Sequence, residues 1–303
     1  MIDVERARAT ISGEVHRTPT FSSRQLGAHL KAELFQKTGS FKVRGVLNRT
    51  AALTEDERRR GVVTWSAGNH AQAVAWASAR EGIDCLVVMS AQASPTKVEA
   101  TRGYGAAVDL EAPDHSAAYE RLLDVVEKTG RVFVHPFDDP LVVAGQGTVG
   151  LEILEDVPDV ATVVVPVGGG GLVAGIVSAL DGRARVVAVE PEGAQGFRVG
   201  LEAGRSVHVE TNTIADGLAP PFAGELPLQI CRGVVDSVLV TDDEIADAMR
   251  FLFTRAKLAC EPAGAAAVAA IRAGKVDLAG PTVAVVSGGN AVPQEAAAIL
   301  GSG

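Results

Sequence analysis

Short β-branched runs alternate with longer alanine-rich segments along most of this chain, and that alternation restricts the fold more than any other feature. The runs Val62–Trp65, Cys85–Met89, Val132–His135, Thr162–Val167, Val186–Val189, Ser237–Val240 and Thr282–Val286 are long enough for buried strands. Ala71–Arg80, Pro95–Tyr104, Ser116–Lys128, Asp242–Lys257 and Ala263–Ala273 have the length and composition of helices. Strands and helices in alternation predict an α/β protein with open, twisted, mainly parallel sheets and helices on both faces. Thr241 before Asp242-Asp243-Glu244 predicts a helix start, with a side-chain oxygen as cap and acids in the first turn. With 303 residues, 47% of them hydrophobic, the chain can bury one large core or two modest ones.

Charge and cysteine content exclude several classes of function. Twenty-eight Lys and Arg face 37 Asp and Glu, a net charge of −9, with no basic block to meet nucleic acid or an anionic membrane. The three cysteines, Cys85, Cys231 and Cys260, are far apart and form no CxxC pair, so neither a disulfide framework nor a zinc site is expected. The opening Met-Ile-Asp-Val-Glu-Arg does not read as a signal peptide, and the low-charge stretch 161–180 is broken by Pro166 and four glycines. A cytoplasmic protein is expected.

In parallel sheets, ligands sit beyond the carboxyl ends of the strands, where loops enter helices. Four such loops stand out: Lys37–Gly45, Ser66–His70, Gly168–Gly171 and Ser287–Asn290. The apolar run ending at Val167 enters four consecutive glycines, Gly168, Gly169, Gly170 and Gly171, and then a helical segment. Successive amides without Cβ atoms can curl around an anion at a helix start. The contiguous glycines match neither a Walker loop nor a GxGxxG fingerprint, and a tight strand–helix turn is the competing reading. Lys42 lies in a small, partly apolar segment that opens a helix, where it is either a solvated lysine or a desolvated, nucleophilic amine.

Taken in order, Lys-Thr-Gly-Ser-Phe-Lys-Val-Arg-Gly (37–45), Ser-Ala-Gly-Asn-His (66–70), Gly-Gly-Gly-Gly (168–171) and Ser-Gly-Gly-Asn (287–290) resemble one family. They are similar to the fold type II, tryptophan synthase β-like, pyridoxal-phosphate enzymes, specifically the serine/threonine dehydratase and serine racemase branch. The segments 135–140, 145–148, 213–217 and 261–264 extend the resemblance over nearly the whole chain. It implies a large cofactor-binding domain made of residues 1–52 and 139–303, and a small mobile domain of residues 53–138. It also implies a homodimer.

The resemblance assigns roles residue by residue. Lys42 would hold pyridoxal 5′-phosphate as a Schiff base and then act as base toward the Cα proton. Phe41 would pack beside the ring, Asn69 would bond the phenolic oxygen, and Gly168 to Gly171 would take the phosphate. Ser287 would face the ring nitrogen, where a hydroxyl gives little cause for protonation and favours loss of a β-group over transamination. Glu261 would order the polar edge of the ring. Ser66, Ala67, Asn69 and His70 would receive the carboxylate of a small hydroxy amino acid, with His70 also expected to make a structural hydrogen bond.

The chain departs from the family pattern at several points, of which the first bears on the activity. Racemases of this branch carry a second serine, acting as a base, where this chain has Ala67, which points to an L-specific dehydratase of L-threonine, L-serine or both. Another β-hydroxy amino acid, such as 3-hydroxyaspartate or an intermediate of hydroxyectoine breakdown, is an alternative, and serine racemisation a weaker one. A cation site of some relatives would begin at Glu190 and include the carbonyl of Ala194, but its second carboxylate falls at Gly196, so no metal is expected. Leu34-Phe35 stands where relatives commonly have Asn-Leu, and no isoleucine-sensing domain is expected after residue 290.

Overall fold

The computed structural model describes residues 2–301, the side chains at 115 and 116 excepted. Its ten strands are β1 (Thr20–Ser23), β2 (Ala28–Ala32), β3 (Val62–Trp65), β4 (Cys85–Ser90), β5 (Ala107–Ala112), β6 (Val132–Phe133), β7 (Thr162–Pro166), β8 (Arg185–Pro191), β9 (Val235–Val240) and β10 (Thr282–Val286). They form a six-stranded sheet in the order β1-β2-β10-β7-β8-β9 and a four-stranded sheet in the order β5-β4-β3-β6. Every pairing is parallel except β1 with β2, an antiparallel edge hairpin.

The central strands β7 and β10 are buried along their whole length, as expected of Val-rich strands covered on both faces. One face of the large sheet packs against Pro262–Arg272, a helix buried from Pro262 to Ile271, and against Asp242–Phe251. The other face packs against Pro140–Asp156, Gly171–Leu180 and Glu225–Cys231. Thr241 caps its helix as expected: its hydroxyl accepts from the amide of Glu244, whose side chain reciprocates.

Three expectations need correction. The strand expected over Val132–His135 stops at Phe133, because the His135 ring turns back to accept the amides of Phe137 and Asp138 at 3.3 and 2.8 Å. The helix expected over Asp242–Lys257 is α-helical only to Phe251, then widens into a π turn over Leu252–Ala256 that Lys257 ends at φ 61°. The strands β1, β2 and β5 and the 17-residue helix Pro140–Asp156 come in addition to the expected elements.

Three loops singled out in the sequence leave the carboxyl ends of parallel strands. Gly168 follows β7 and Ser287 follows β10, neighbours in register, while Ser66 follows β3.

Candidate active site

The path that delivers Lys42 is stitched to the end of β10. Thr38 and Gly39 turn the chain with φ values of 61° and 76°, and a Cβ on Gly39 would strike the Asn290 side chain. Ser40 bridges Gly288, the Gly289 amide donates to Gly39 O at 2.9 Å, and the Phe41 amide donates to Ser287 O at 3.2 Å. The helix Lys42–Ala51 then starts at the lysine itself. Its Nζ donates to the carbonyl oxygen of Pro136 at 2.9 Å and stands 5.2 Å from the centroid of the Phe41 ring. Burial pushes this amine down to about 8 from its usual 10.5, so its neutral, nucleophilic form is a minor fraction near neutral pH but far more populated than on an exposed lysine.

The glycine turn lines the same cleft. Gly170 has φ 92° and caps the helix Gly171–Leu180 without any side-chain bond. A Cβ on Gly169 would run into the Phe137 ring, and one on Gly171 would lie 3.0 Å from Phe137 Cα. First-turn amides of that helix have no intrahelical acceptor and carry the positive end of the dipole, which suits a dianionic phosphate.

Asn69 opens the helix Asn69–Glu81, and its amide is held from two sides. Nδ2 donates to Oε1 of Glu261 at 2.5 Å, and Oδ1 accepts from Nδ2 of Asn290 at 2.7 Å. Glu261 is pushed up to about 7 by burial, against the pull of its bond from Asn69. Gly288 leaves room for this pair, since a Cβ there would strike the Glu261 carboxyl.

One cleft thus brings together Phe41, Lys42, Asn69, Gly168, Gly169, Gly170, Gly171, Glu261 and Ser287 from five separate parts of the chain. Ser66, Ala67 and His70 flank it without lining it. The Ser66 hydroxyl accepts from the Gly68 amide at 3.1 Å and so shapes the loop. His70 Nε2 bonds Val134 O at 2.9 Å; because a carbonyl only accepts, that nitrogen carries the hydrogen. Burial, with Lys42 nearby, holds His70 well below its ordinary range and therefore neutral. His135 is held neutral in the same way, at about 4, and its Nδ1 is already bonded to two amides.

Phe137, Pro136 O, Asn290, Gly217 and Leu218 belong to the cleft or its supports without having been assigned roles in the sequence. All but Leu218 lie within motifs that carried the resemblance, which was the available signal. A roomier surface depression lies between Thr10–Glu14 and the helices holding Leu47, Arg58 and Arg80, but its arginines are already paired, Arg80 with Glu14 and Arg58 with Glu81. Glu190 is buried and accepts from the amides of Phe197 and Arg198, both at 2.8 Å, so its carboxyl group caps the helix Gly196–Ala203.

A buried amine with a lowered pKa, a glycine turn at a helix start, an apolar ring neighbour and a hydroxyl at a strand end fit pyridoxal 5′-phosphate. A family model described as pyridoxal-phosphate dependent enzyme matches residues 11–288, and the chain belongs to that family. It is 47% identical over 300 residues to the L-threonine ammonia-lyase of Thermotoga maritima, covering 95% of this chain and 75% of that protein. It is 42% identical over 302 residues to the L-threonine dehydratase catabolic TdcB of Escherichia coli K12, covering 95% and 92%. The solved structure of maize serine racemase superposes with a TM-score of 0.91 at 37% identity, covering 96% of this chain and 93% of that one.

Proposed function

We propose that this chain is an ammonia-lyase that converts L-threonine, L-serine or both to a 2-oxo acid and ammonia. The observation that carries the reading is the buried amine of Lys42 in one cleft with the four-glycine turn, Asn69 and Ser287. The names of the relatives in Thermotoga maritima and Escherichia coli support threonine as substrate.

Bound pyridoxal 5′-phosphate would supply the electron-withdrawing ring that acidifies the substrate Cα–H. Gly168 to Gly171 would hold its phosphate, Asn69 its phenolic oxygen, and Ser287 its ring nitrogen. The chain does the rest. Lys42, whose burial lowers the cost of its neutral form, takes the Cα proton. Phe41 and Phe137 exclude water from that step. Backbone amides of Ser66 to His70, at the positive end of the Asn69–Glu81 helix, receive the carboxylate. The β-hydroxyl takes up one proton, balancing the one lost from Cα, and leaves as water; the released unsaturated amine tautomerises to an imine, which a water molecule hydrolyses to the 2-oxo acid and ammonia. The Ala67 side chain can neither give nor take a proton, so racemisation would lack its second base.

Residues 53–138 form the mobile unit in this reading, since β3 to β6 make a sheet of their own. The ion pair of Lys97 with Asp216 ties that unit to the larger one. A homodimer is supported by the exposed edge-to-face pair Phe21 and Phe35, 41% and 47% accessible. Residence in the cytoplasm is supported by three free, buried cysteines, and no described helix is long and apolar enough to cross a membrane.

The test is a substrate panel of L-threonine, L-serine, 3-hydroxyaspartate and D-serine, run with and without magnesium, following ammonia and 2-oxo acid. Turnover of L-threonine or L-serine is expected. No product from any hydroxy amino acid would overturn the reading.

A further inference from the structure

The helix that presents Lys42 is pinned from behind by a wholly buried arginine. Arg44 follows two positions after the lysine, about 200° around the helix, so the two side chains leave from nearly opposite faces. Its guanidinium makes a two-sided fork. Nε and Nη2 donate to the two oxygens of Glu33 at 2.8 Å each, and Nη1 and Nη2 donate to those of Glu152 at 2.7 and 3.0 Å. Nη1 also reaches Thr148 Oγ1 at 3.1 Å. Glu152 is shared with Lys31, also fully buried, which pairs with Asp156 as well.

A buried ion cluster gives little net stability over apolar packing of the same volume. It does supply direction, because a planar fork satisfied on both sides has one orientation. Glu33 follows β2, and Glu152 and Thr148 lie on the helix Pro140–Asp156, which starts four residues after Pro136. The same side chain therefore ties the lysine-bearing helix to the helix entered from the strap that holds the amine's hydrogen-bond acceptor. The backbones meet beside it: a Cβ on Gly145 would lie 2.5 Å from Arg44 O and 2.6 Å from Gly45 Cα.

We propose that Arg44 is a positioning residue for Lys42, setting the helix register that places the ε-amine against Pro136 O and over the cleft. The inference rests on Lys42 being the cofactor-bearing amine. A displacement of about 1 Å at a reacting group can cost 10²-fold in rate, so a looser fork should be felt in turnover more than in substrate binding.

Arg44→Lys keeps the charge but gathers its donors on one atom, so it cannot meet Glu33 and Glu152 with two prongs each. Lys31→Met breaks the same cluster while leaving the Arg44 fork intact. Both are compared with wild type by circular dichroism, thermal melting, pyridoxal 5′-phosphate titration of the apo-protein across pH, and steady-state kinetics. Arg44→Lys is expected to lower kcat at least tenfold with KM within threefold, and to shift the pH dependence of the visible imine band. Lys31→Met is expected to lower Tm with kcat within twofold and an unchanged band. If Arg44→Lys does not fold, Glu33→Gln, which loosens one side of the fork, takes its place with a fall of threefold or more. A wild-type band and kcat in the substituted fork, or an equal loss of kcat in Lys31→Met, would overturn the proposal. A wild-type protein that forms no imine band would instead overturn the reading of Lys42 itself.

Discussion

Oε1 of Glu261 accepts a 2.5 Å hydrogen bond from Nδ2 of Asn69, joining two residues 192 positions apart at the rim of the cleft. Burial raises this carboxyl to about 7 from its usual 4.5. A carboxyl raised in the folded state favours folding when protonated. Its contribution is therefore complete below about 4.5 and is lost as pH rises through about 7. Glu261→Gln keeps an oxygen for Asn69 and stays neutral. It should match wild type in Tm at about pH 4 and exceed it by about 2–6 °C at about pH 8. Melting curves at several pH values check this, and a pH-independent difference counts against it.

The Lys42 amine gives a second pH signature, of opposite sense. An exposed lysine captures aldehydes efficiently only near 10.5, whereas capture by Lys42 should rise with a midpoint near 8. Stopped-flow absorbance after mixing apo-protein with pyridoxal 5′-phosphate measures the midpoint. Lys42→Ala should show neither the visible band nor turnover; turnover retained in that variant would sink the assignment.

Much of the site was readable before any coordinates, and the reason is local. Gly39, Gly169 and Gly288 each stand where a side chain would strike a neighbour, so glycine is written into the motifs themselves. Residues that act through tertiary contact left a weaker trace. Helix Pro140–Asp156 went unexpected because Gly145, Gly147 and Gly150 lower its intrinsic helicity. Each glycine is there for a neighbour: Cβ atoms would lie 2.5 Å from Arg44 O, 2.7 Å from Gly175 O and 2.8 Å from Ala179 Cβ. The edge strand β1, Thr-Phe-Ser-Ser, is too polar and short to signal itself, and it exists because β2 offers a free edge beside β10. Arg44 has no assigned role in the sequence, and its burial is explained only by Glu33 and Glu152, which converge on it from distant parts of the chain.

Gly169 tests the glycine turn. Alanine there would push its Cβ into the Phe137 ring, which the His135 ring meets edge-on at 4.7 Å and which therefore has little room to retreat. Gly169→Ala should cost about 1–3 kcal/mol in stability and weaken pyridoxal 5′-phosphate binding by about tenfold or more. Adding Phe137→Ala should recover part of the affinity by making space. Equilibrium titration of the three proteins separates the outcomes; wild-type affinity in Gly169→Ala would remove the turn from the cofactor site.

In the proposed reaction, Ala67 is the position from which a proton would be delivered on the side opposite Lys42. It sits half-buried in the loop between β3 and the Asn69–Glu81 helix, packed against the core of the smaller sheet. A serine adds one oxygen at that position, next to a loop already shaped by the Ser66 hydroxyl. If Ala67 faces the substrate from across the cleft, Ala67→Ser supplies the missing second base. D-serine formation from L-serine should then rise by roughly 10²-fold over the wild-type background, with solvent deuterium appearing at Cα. Elimination from L-serine should persist, because Lys42 is untouched. Chiral chromatography and mass spectrometry follow both products. Unchanged D-serine formation alongside intact elimination would show that the loop presents position 67 away from the substrate, and the L-specificity would then need another cause.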